Sequence, residues 1–297
     1  MNKQEKNSFM ISADIGGSHI TAAIIDVNHK VVLNEMRTRT YVDCHGSADE
    51  ILTTWAAALN EVRKKSGKFI DKLSLAMPGP FDYVAGISFI TGLHKYESLY
   101  GLNIKTYMSA ALNIDAANIR FRNDAEAFLH GEIVAGAGRG FNKVLGFTLG
   151  TGMGSALSNN GITLDANLGS LPFAESIADD YFSTRWFLKQ YHQSTGLQCS
   201  HVKELKKLAG SDERAAGVFK TFAENFAGFI KKSIVQEKPD LILLGGNISK
   251  AQSLFLEPLK ALLAPYIDPQ YIIIGTLEED AALIGAAFTF EFSDVEI

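Results

Sequence analysis

Cysteine is almost missing from this sequence. Cys44 and Cys199 are the two in 297 residues, far apart and without a C-x-x-C partner. That scarcity excludes a disulfide framework and a cysteine zinc cluster, and it suits free thiols in a reducing compartment. Long apolar runs are missing too. No stretch approaches the roughly 18 apolar residues that a membrane span needs. The opening MNKQEKNSF is polar with no apolar core, so neither a secretory leader nor a membrane anchor is expected, and the reading is a cytoplasmic protein. Positive charge is not in excess: a net charge of −5 gives no broad attraction to nucleic acid or to anionic membrane. His19, His29, His45, His94, His130, His192 and His201 show no H-E-x-x-H or paired-ligand spacing, and there is no G-x-S-x-G elbow. Zinc-peptidase and serine-hydrolase chemistry therefore lack their usual carriers.

What is present is an ordinary globular composition, 46% hydrophobic and 21% charged, over a length suited to two domains. FMISADIGGSHITAAIIDVNHKVVLNEMRTRT reads as three strands broken at Gly16-Gly17 and at Asn28-His29-Lys30. ADEILTTWAAALNEVRKK follows, with Ile51, Leu52, Trp55, Ala58, Leu59 and Val62 at helical spacing, and DKLSLAMPGPFD gives a buried strand entering a proline-fixed loop. This βββαβ order returns later. NKVLGFTLGTGMGSALSNNGITL is again strand, glycine turn, strand, Asn-Asn-Gly turn and strand. VFKTFAENFAGFIKKSIV is a helix with Phe219, Phe222, Phe226, Phe229 and Ile230 on one face, and DLILLGGNIS adds a strand and a further glycine turn. Between the halves, NIRFRNDAEAFLHGEIVAGAG offers a short strand, Ile119–Phe121, and then Asn123-Asp124 at a helix start. A duplicated α/β architecture is expected, two halves around a close-walled cleft.

The candidate chemistry gathers at the turns. DIGGS (14–18) and LGTGMG (149–154) can each set several backbone N–H groups around a phosphate, because glycine permits close approach and the positive φ such bends need. Asp14, at the strand end before the first turn, suits a ligand of the Mg2+ that accompanies a nucleotide, or else a turn cap. Thr151 offers a hydroxyl to the same phosphates. Asn123-Asp124 suits a carboxylate that takes the proton of an incoming hydroxyl, with the helix N-terminus keeping the acid ionised and the amide orienting a second hydroxyl; the competing reading is a plain N-cap. Gly245-Gly246-Asn247 is a third bend, suited to an adenine and its ribose.

Taken in order, D-I-G-G-S, P-G-P-F-D, N-D-A-E-A, G-T-G-M-G, L-G-G-N and EEDAALIGAA resemble the ROK family of sugar kinases and sugar-responsive repressors, within the actin-like ATPase superfamily. The resemblance runs from about Ile11 to the C-terminus. It implies a two-lobed, ribonuclease H-like α/β fold with duplicated βββαβ cores around an ATP and sugar cleft. The small lobe would be 1–119 rejoined by 281–297, and the large lobe 120–280. The implied activity is ATP-dependent phosphorylation of a sugar hydroxyl, with ATP and Mg2+. Asp14 would address the magnesium. Asp14, Gly16, Gly17 and Ser18, the last where the family more often has Thr, would form the first phosphate loop. Gly150, Thr151, Gly152 and Gly154 would form the second, and Gly245, Gly246 and Asn247 the adenosine turn. Asn123, Gly79 and Gly92 would meet the sugar together with Asp124, the implied general base. A homodimer is implied by family habit.

Departures from the family pattern carry expectations of their own. The usual G-E-I-G-H and cysteine zinc motif is replaced by ANLGSLPFAESIADDYFSTRWF, so zinc is expected to be absent and Glu175 is assigned no sugar contact. The family's Asn-Leu and Gly-Trp pairs are replaced within TGLHKYESLYGLNI, where Gly92 takes the Asn position and His94, Lys95, Tyr96 and Glu97 offer different contacts. A sugar-responsive repressor would carry a helix-turn-helix ahead of the first glycine turn, and the short segment before Asp14 is neither basic nor helical enough to read DNA. A relative that binds nucleotide or sugar as a sensor, without transferring phosphate, is the other alternative.

Overall fold

The computed structural model describes residues 8–93 and 95–292. Its internal contacts divide the chain into two units, Met1–Ala135 with Glu279–Ile297, and Gly136–Glu278. The sequence reading put the first boundary at 119/120, but residues 120–135 belong with the first unit. Their strand is hydrogen-bonded into the first sheet and their helix packs within that unit.

The first unit opens with β1 (Phe9–Ile15), β2 (His19–Asp26) and β3 (Val31–Tyr41), an antiparallel meander. Helix α1 (Ala48–Ser66) starts at a capping box in which Ser47 and Glu50 bond each other's backbone amides, and it stops at Gly67, whose φ of 60° only glycine takes without strain. Its stripe Ile51, Leu52, Trp55, Ala58, Leu59 and Val62 is buried, as its spacing predicts. Then come β4 (Leu73–Met77), a small hairpin of β5 (Phe81–Asp82) and β6 (Ile87–Ser88), α2 (Ile104–Leu112), β7 (Ile119–Asn123) and α3 (Asp124–Ala135). The sheet order is β3-β2-β1-β4-β7, with β4 parallel to β1 and β7 parallel to β4.

The second unit repeats this plan. β8 (Lys143–Leu149), β9 (Met153–Asn159) and β10 (Ile162–Asp165) form its meander. A hairpin of β11 (Pro172–Phe173) and β12 (Ser176–Ile177) follows, then α4 (Ala178–Tyr181), α5 (Thr184–Thr195), α6 (Val202–Leu208), α7 (Glu213–Glu237), β13 (Leu241–Gly245), α8 (Leu256–Leu263) and β14 (Ile272–Ile274). The order β10-β9-β8-β13-β14 matches the first sheet strand for strand, so each half is a βββαβ core extended by one further parallel strand. Its core is phenylalanine-rich: Phe219, Phe222 and Phe226 on α7 are buried against Phe147, Phe182 and Phe187.

Helix α9 (Asp280–Ala287), followed by a 3-10 turn over Phe288–Phe292, packs in the first unit against α3 and the sheet. Buried polar groups explain its seat. Ser12 of β1 donates to the Leu283 carbonyl at 2.7 Å, Ser74 of β4 to Ala286 at 2.6 Å, and Arg122 of β7 to Gly285 at 3.0 Å. These sheet residues lie in an apolar layer and find their partners in the helix backbone. Contact between α3 and α9 is at backbone distance: a Cβ on Gly131 would lie 2.0 Å from the Ala281 oxygen, and one on Gly285 1.7 Å from that of Ala127.

Candidate functional site

The β1–β2 turn holds the first glycine pair. The Gly16 amide donates to His19 O at 2.9 Å, and the carbonyls of Gly16 and Ser18 accept from the Tyr96 hydroxyl (2.6 Å) and the Val42 amide (2.9 Å). The Ser18 hydroxyl shares a 2.8 Å hydrogen bond with the His19 ring. Gly16, Gly17 and Ser18 are exposed, and the amides of Gly17 and Ser18 meet no acceptor among the described residues. Neither glycine has a positive φ. The expectation that these bends need positive φ is corrected here: the gain from glycine is bare approach, with nothing within 4 Å of a Cβ on Gly17.

Strand register carries Asp14 to the remaining candidates of this unit. Asp14 pairs with Ala76 and Met77 with Asn123, so Asp14, near the end of β1, and Asp124, just past the end of β7, stand on either side of β4 at the same edge of the sheet. The Asp14 carboxyl is raised to about 7 by burial and then by the nearby charges of Asp124 and Glu279, against a smaller opposing effect of Arg39. Arg39 is itself paired with Glu279 at 3.0 Å. Accumulated negative charge of this kind is what a divalent cation relieves, so the donor set fits a magnesium ion carried in on a nucleotide.

Asn123 is buried and caps α3: its side-chain oxygen accepts from the amides of Ala125 (2.9 Å) and Glu126 (3.2 Å), and its amide group donates to the Tyr83 hydroxyl at 3.1 Å. The N-cap reading of this residue is therefore realised. Asp124 is more open, with one carboxylate oxygen on the Ala125 amide at 2.8 Å. Gly79 lies under Tyr83, whose hydroxyl would be 3.3 Å from an added Cβ. Gly92 sits exposed at φ 69°, a backbone reason for glycine that needs no ligand. Of the substituted loop, His94 lies outside the described residues, Glu97 is exposed, and Tyr96 is fully buried with its hydroxyl on the first glycine turn.

In the second unit the β8–β9 turn is shorter, closed by Gly150 N–H on Gly152 O at 2.9 Å, with Thr151 exposed at its tip. Two residues that the sequence reading missed support it. Thr184 donates to the Gly150 carbonyl from both its amide (2.7 Å) and its hydroxyl (2.9 Å), and Asp179 accepts from the Met153 amide at 2.5 Å. A Cβ on Gly152 would come within 2.6 Å of that Asp179 carboxylate. Gly154 lies in β9 opposite Thr148 and forms the flank of the turn. The third bend is adjacent, because Gly245 pairs with Thr148 and the Ile248 amide donates to Leu149 O at 2.9 Å. Gly246 takes φ 83° and would drive a Cβ to 2.4 Å from Leu149 O, so both reasons for glycine hold here. Asn247 is exposed beside it, and Glu175 is exposed in the β11–β12 turn. No group of three His, Cys, Asp or Glu side chains that could hold a metal occurs among the described residues, and no helix there is long and apolar enough to cross a membrane.

Two sheets of identical strand order, each with a glycine turn between its first two strands, define an actin-like ATPase fold. The ROK family model matches residues 10–171 and 177–291, and the chain belongs to the ROK family. It is 25% identical to the glucokinase of Thermotoga maritima, an alignment covering 94% of this chain and 96% of that one. Among solved structures it is similar to the ROK hexokinase from Thermus thermophilus, with a TM-score of 0.79 at 20% identity, covering 97% of this chain and 100% of that one. A ROK family glucokinase from Streptomyces griseus, solved with glucose and AMPPNP, superimposes with a TM-score of 0.77 at 18% identity over 94% of this chain and 98% of that one.

Proposed function

We propose that this protein is an ATP-dependent carbohydrate kinase that transfers the γ-phosphoryl group of Mg·ATP to a hydroxyl of a hexose or hexose derivative. Family membership and the glucokinase relative support the reaction class. The observation that carries the residue roles is the pair of carboxylates at the ends of β1 and β7, Asp14 and Asp124, on either side of β4 and beside a turn with outward amides.

Asp124, at the first residue of α3, takes the proton of the attacking hydroxyl as general base. Asn123 fixes the start of α3 and so the position of Asp124, and it shares the sugar side with Gly79 and Gly92. Gly16, Gly17 and Ser18 form the first phosphate loop, in which the amides of Gly17 and Ser18, having no acceptor among the described residues, hold phosphate oxygens, and Gly150, Thr151, Gly152 and Gly154 form the second. Gly245, Gly246 and Asn247 form the adenosine turn. Asp14 would help to hold the magnesium ion of Mg·ATP, which would supply charge neutralisation for phosphoryl transfer. We further infer a cytoplasmic homodimer without structural zinc. Light scattering at twice the chain mass and a zinc-free metal analysis check those two points.

The decisive assay offers ATP with a panel of hexoses and N-acetylhexosamines and identifies the phosphorylated product by mass. Asp124→Asn is expected to lower kcat by about 10²–10⁴-fold while Mg·ATP binding stays within a few-fold. An unchanged turnover removes Asp124 from the role of base, and nucleotide binding without transfer to any sugar restores the sensor alternative.

A further inference from the structure

Tyr96 occupies an unusual place for an exposed-loop residue. Its side chain is fully buried, its ring packs edge-on against Trp55 with centroids 5.3 Å apart, and its amide donates to Cys44 O at 2.7 Å. Its φ of 55° lies in the left-handed region, which a tyrosine takes only where its surroundings hold it. All of this aims one polar atom. The Tyr96 hydroxyl donates to the Gly16 carbonyl at 2.6 Å, and no other donor among the described residues reaches that oxygen.

In a trans peptide the C=O and the N–H of one plane point in opposite directions. The Gly16–Gly17 plane has its oxygen turned inward onto Tyr96, so the Gly17 N–H of the same plane is turned outward, at an exposed residue and with no acceptor among the described residues. Between two glycines no side chain resists rotation of that plane. We propose that Tyr96 is a positioning residue for nucleotide binding: its hydroxyl fixes the Gly16–Gly17 peptide with the N–H facing out, presetting one donor for a phosphate oxygen. Burial, then the neighbouring Cys44 and Asp14, raise the phenol well above its ordinary value, which keeps it a neutral donor across the working pH range.

The inference rests on the kinase reading, and the experiment separates them. Tyr96→Phe keeps the ring against Trp55 and removes the hydroxyl alone. Mg·AMPPNP is expected to bind the variant about tenfold more weakly, with the KM for ATP raised alike, while the KM for the sugar and kcat stay within about twofold. In the wild-type protein, whatever the variant's stability, Mg·AMPPNP is expected to shift the Gly17 amide proton downfield. Equal nucleotide affinity of the two proteins, or a Gly17 resonance unmoved by saturating nucleotide, overturns the role of Tyr96 alone. A wild-type protein that binds no nucleotide overturns the kinase reading and this inference together.

Discussion

Asp14 is kept where its charge is least welcome. Its carboxyl sits at about 7 in the folded protein against 3.8 ordinarily, because burial and the charges of Asp124 and Glu279 disfavour ionisation. The folded state therefore holds this proton more tightly than the unfolded chain. The resulting stabilisation is fully present below about 4 and is lost as pH rises through about 7. At pH 8 the half-buried anion disfavours the folded state, by less than the roughly 1.4 kcal/mol per pKa unit that full exclusion from solvent would give. Asp14→Asn should accordingly raise the thermal midpoint at pH 8, flatten its decline between pH 4 and 7, and abolish productive Mg·ATP use; a midpoint unchanged at pH 8 contradicts the assigned environment. The position of Asp14 at a strand end before glycines was legible in the sequence. Its nearness to Asp124 was not, since that depends on the β1–β4–β7 register, which joins segments far apart in the chain.

Periodicity reveals elements well where one face is buried and poorly where packing is backbone to backbone. The meanders around Gly16-Gly17 and Gly150, the stripe of α1 and the phenylalanine face of α7 could be read directly from residue spacing. Sequence reading also ended the strand before Asn123 at Phe121, two residues short, because Arg122 and Asn123 look like loop residues; both are buried with their polar groups satisfied. Gly131 and Gly285 gave no signal at all, since a helix-interior glycine resembles any other. In the structure they set the approach of α3 to α9. Gly131→Ala or Gly285→Ala would push a methyl group to 2.0 or 1.7 Å from a backbone oxygen that cannot turn aside. Each should cost about 3 kcal/mol or more, read as a lowered denaturant midpoint. Gly217→Ala and Gly228→Ala in α7, where an added Cβ meets nothing within 4 Å, are the matched controls. These should instead gain about 0.5–1 kcal/mol from helix propensity. Equal effects at all four positions would mean that the α3–α9 approach is not limiting.

Chain order makes the two units unequal as folding units. The second, Gly136–Glu278, is continuous and owns a core running from Leu145 to Ile272. The first is finished only when the chain returns at Glu279, and what returns is not a decoration. Helix α9 brings buried Leu283 and Ile284, and its carbonyls satisfy the buried donors of Ser12, Ser74 and Arg122. Left without those acceptors, each buried donor costs about 1–3 kcal/mol. Together with the lost apolar burial, that is comparable to the whole net stability of about 5–15 kcal/mol typical of a domain. A fragment of residues 136–278 is therefore expected to melt cooperatively by near-ultraviolet circular dichroism, with Trp186 and the phenylalanine cluster in fixed surroundings. Residues 1–135 alone should retain helix signal but show no cooperative melt, and a peptide of residues 279–297 added in trans should restore one. The duplication that the strand orders display thus differs between its copies in folding: one sheet can be completed as it is made, whereas the other, which holds Asp14 and Asp124, must wait for the last helix. A cooperative melt of 1–135 without the peptide would show that the sheet does not depend on α9 and would remove that asymmetry.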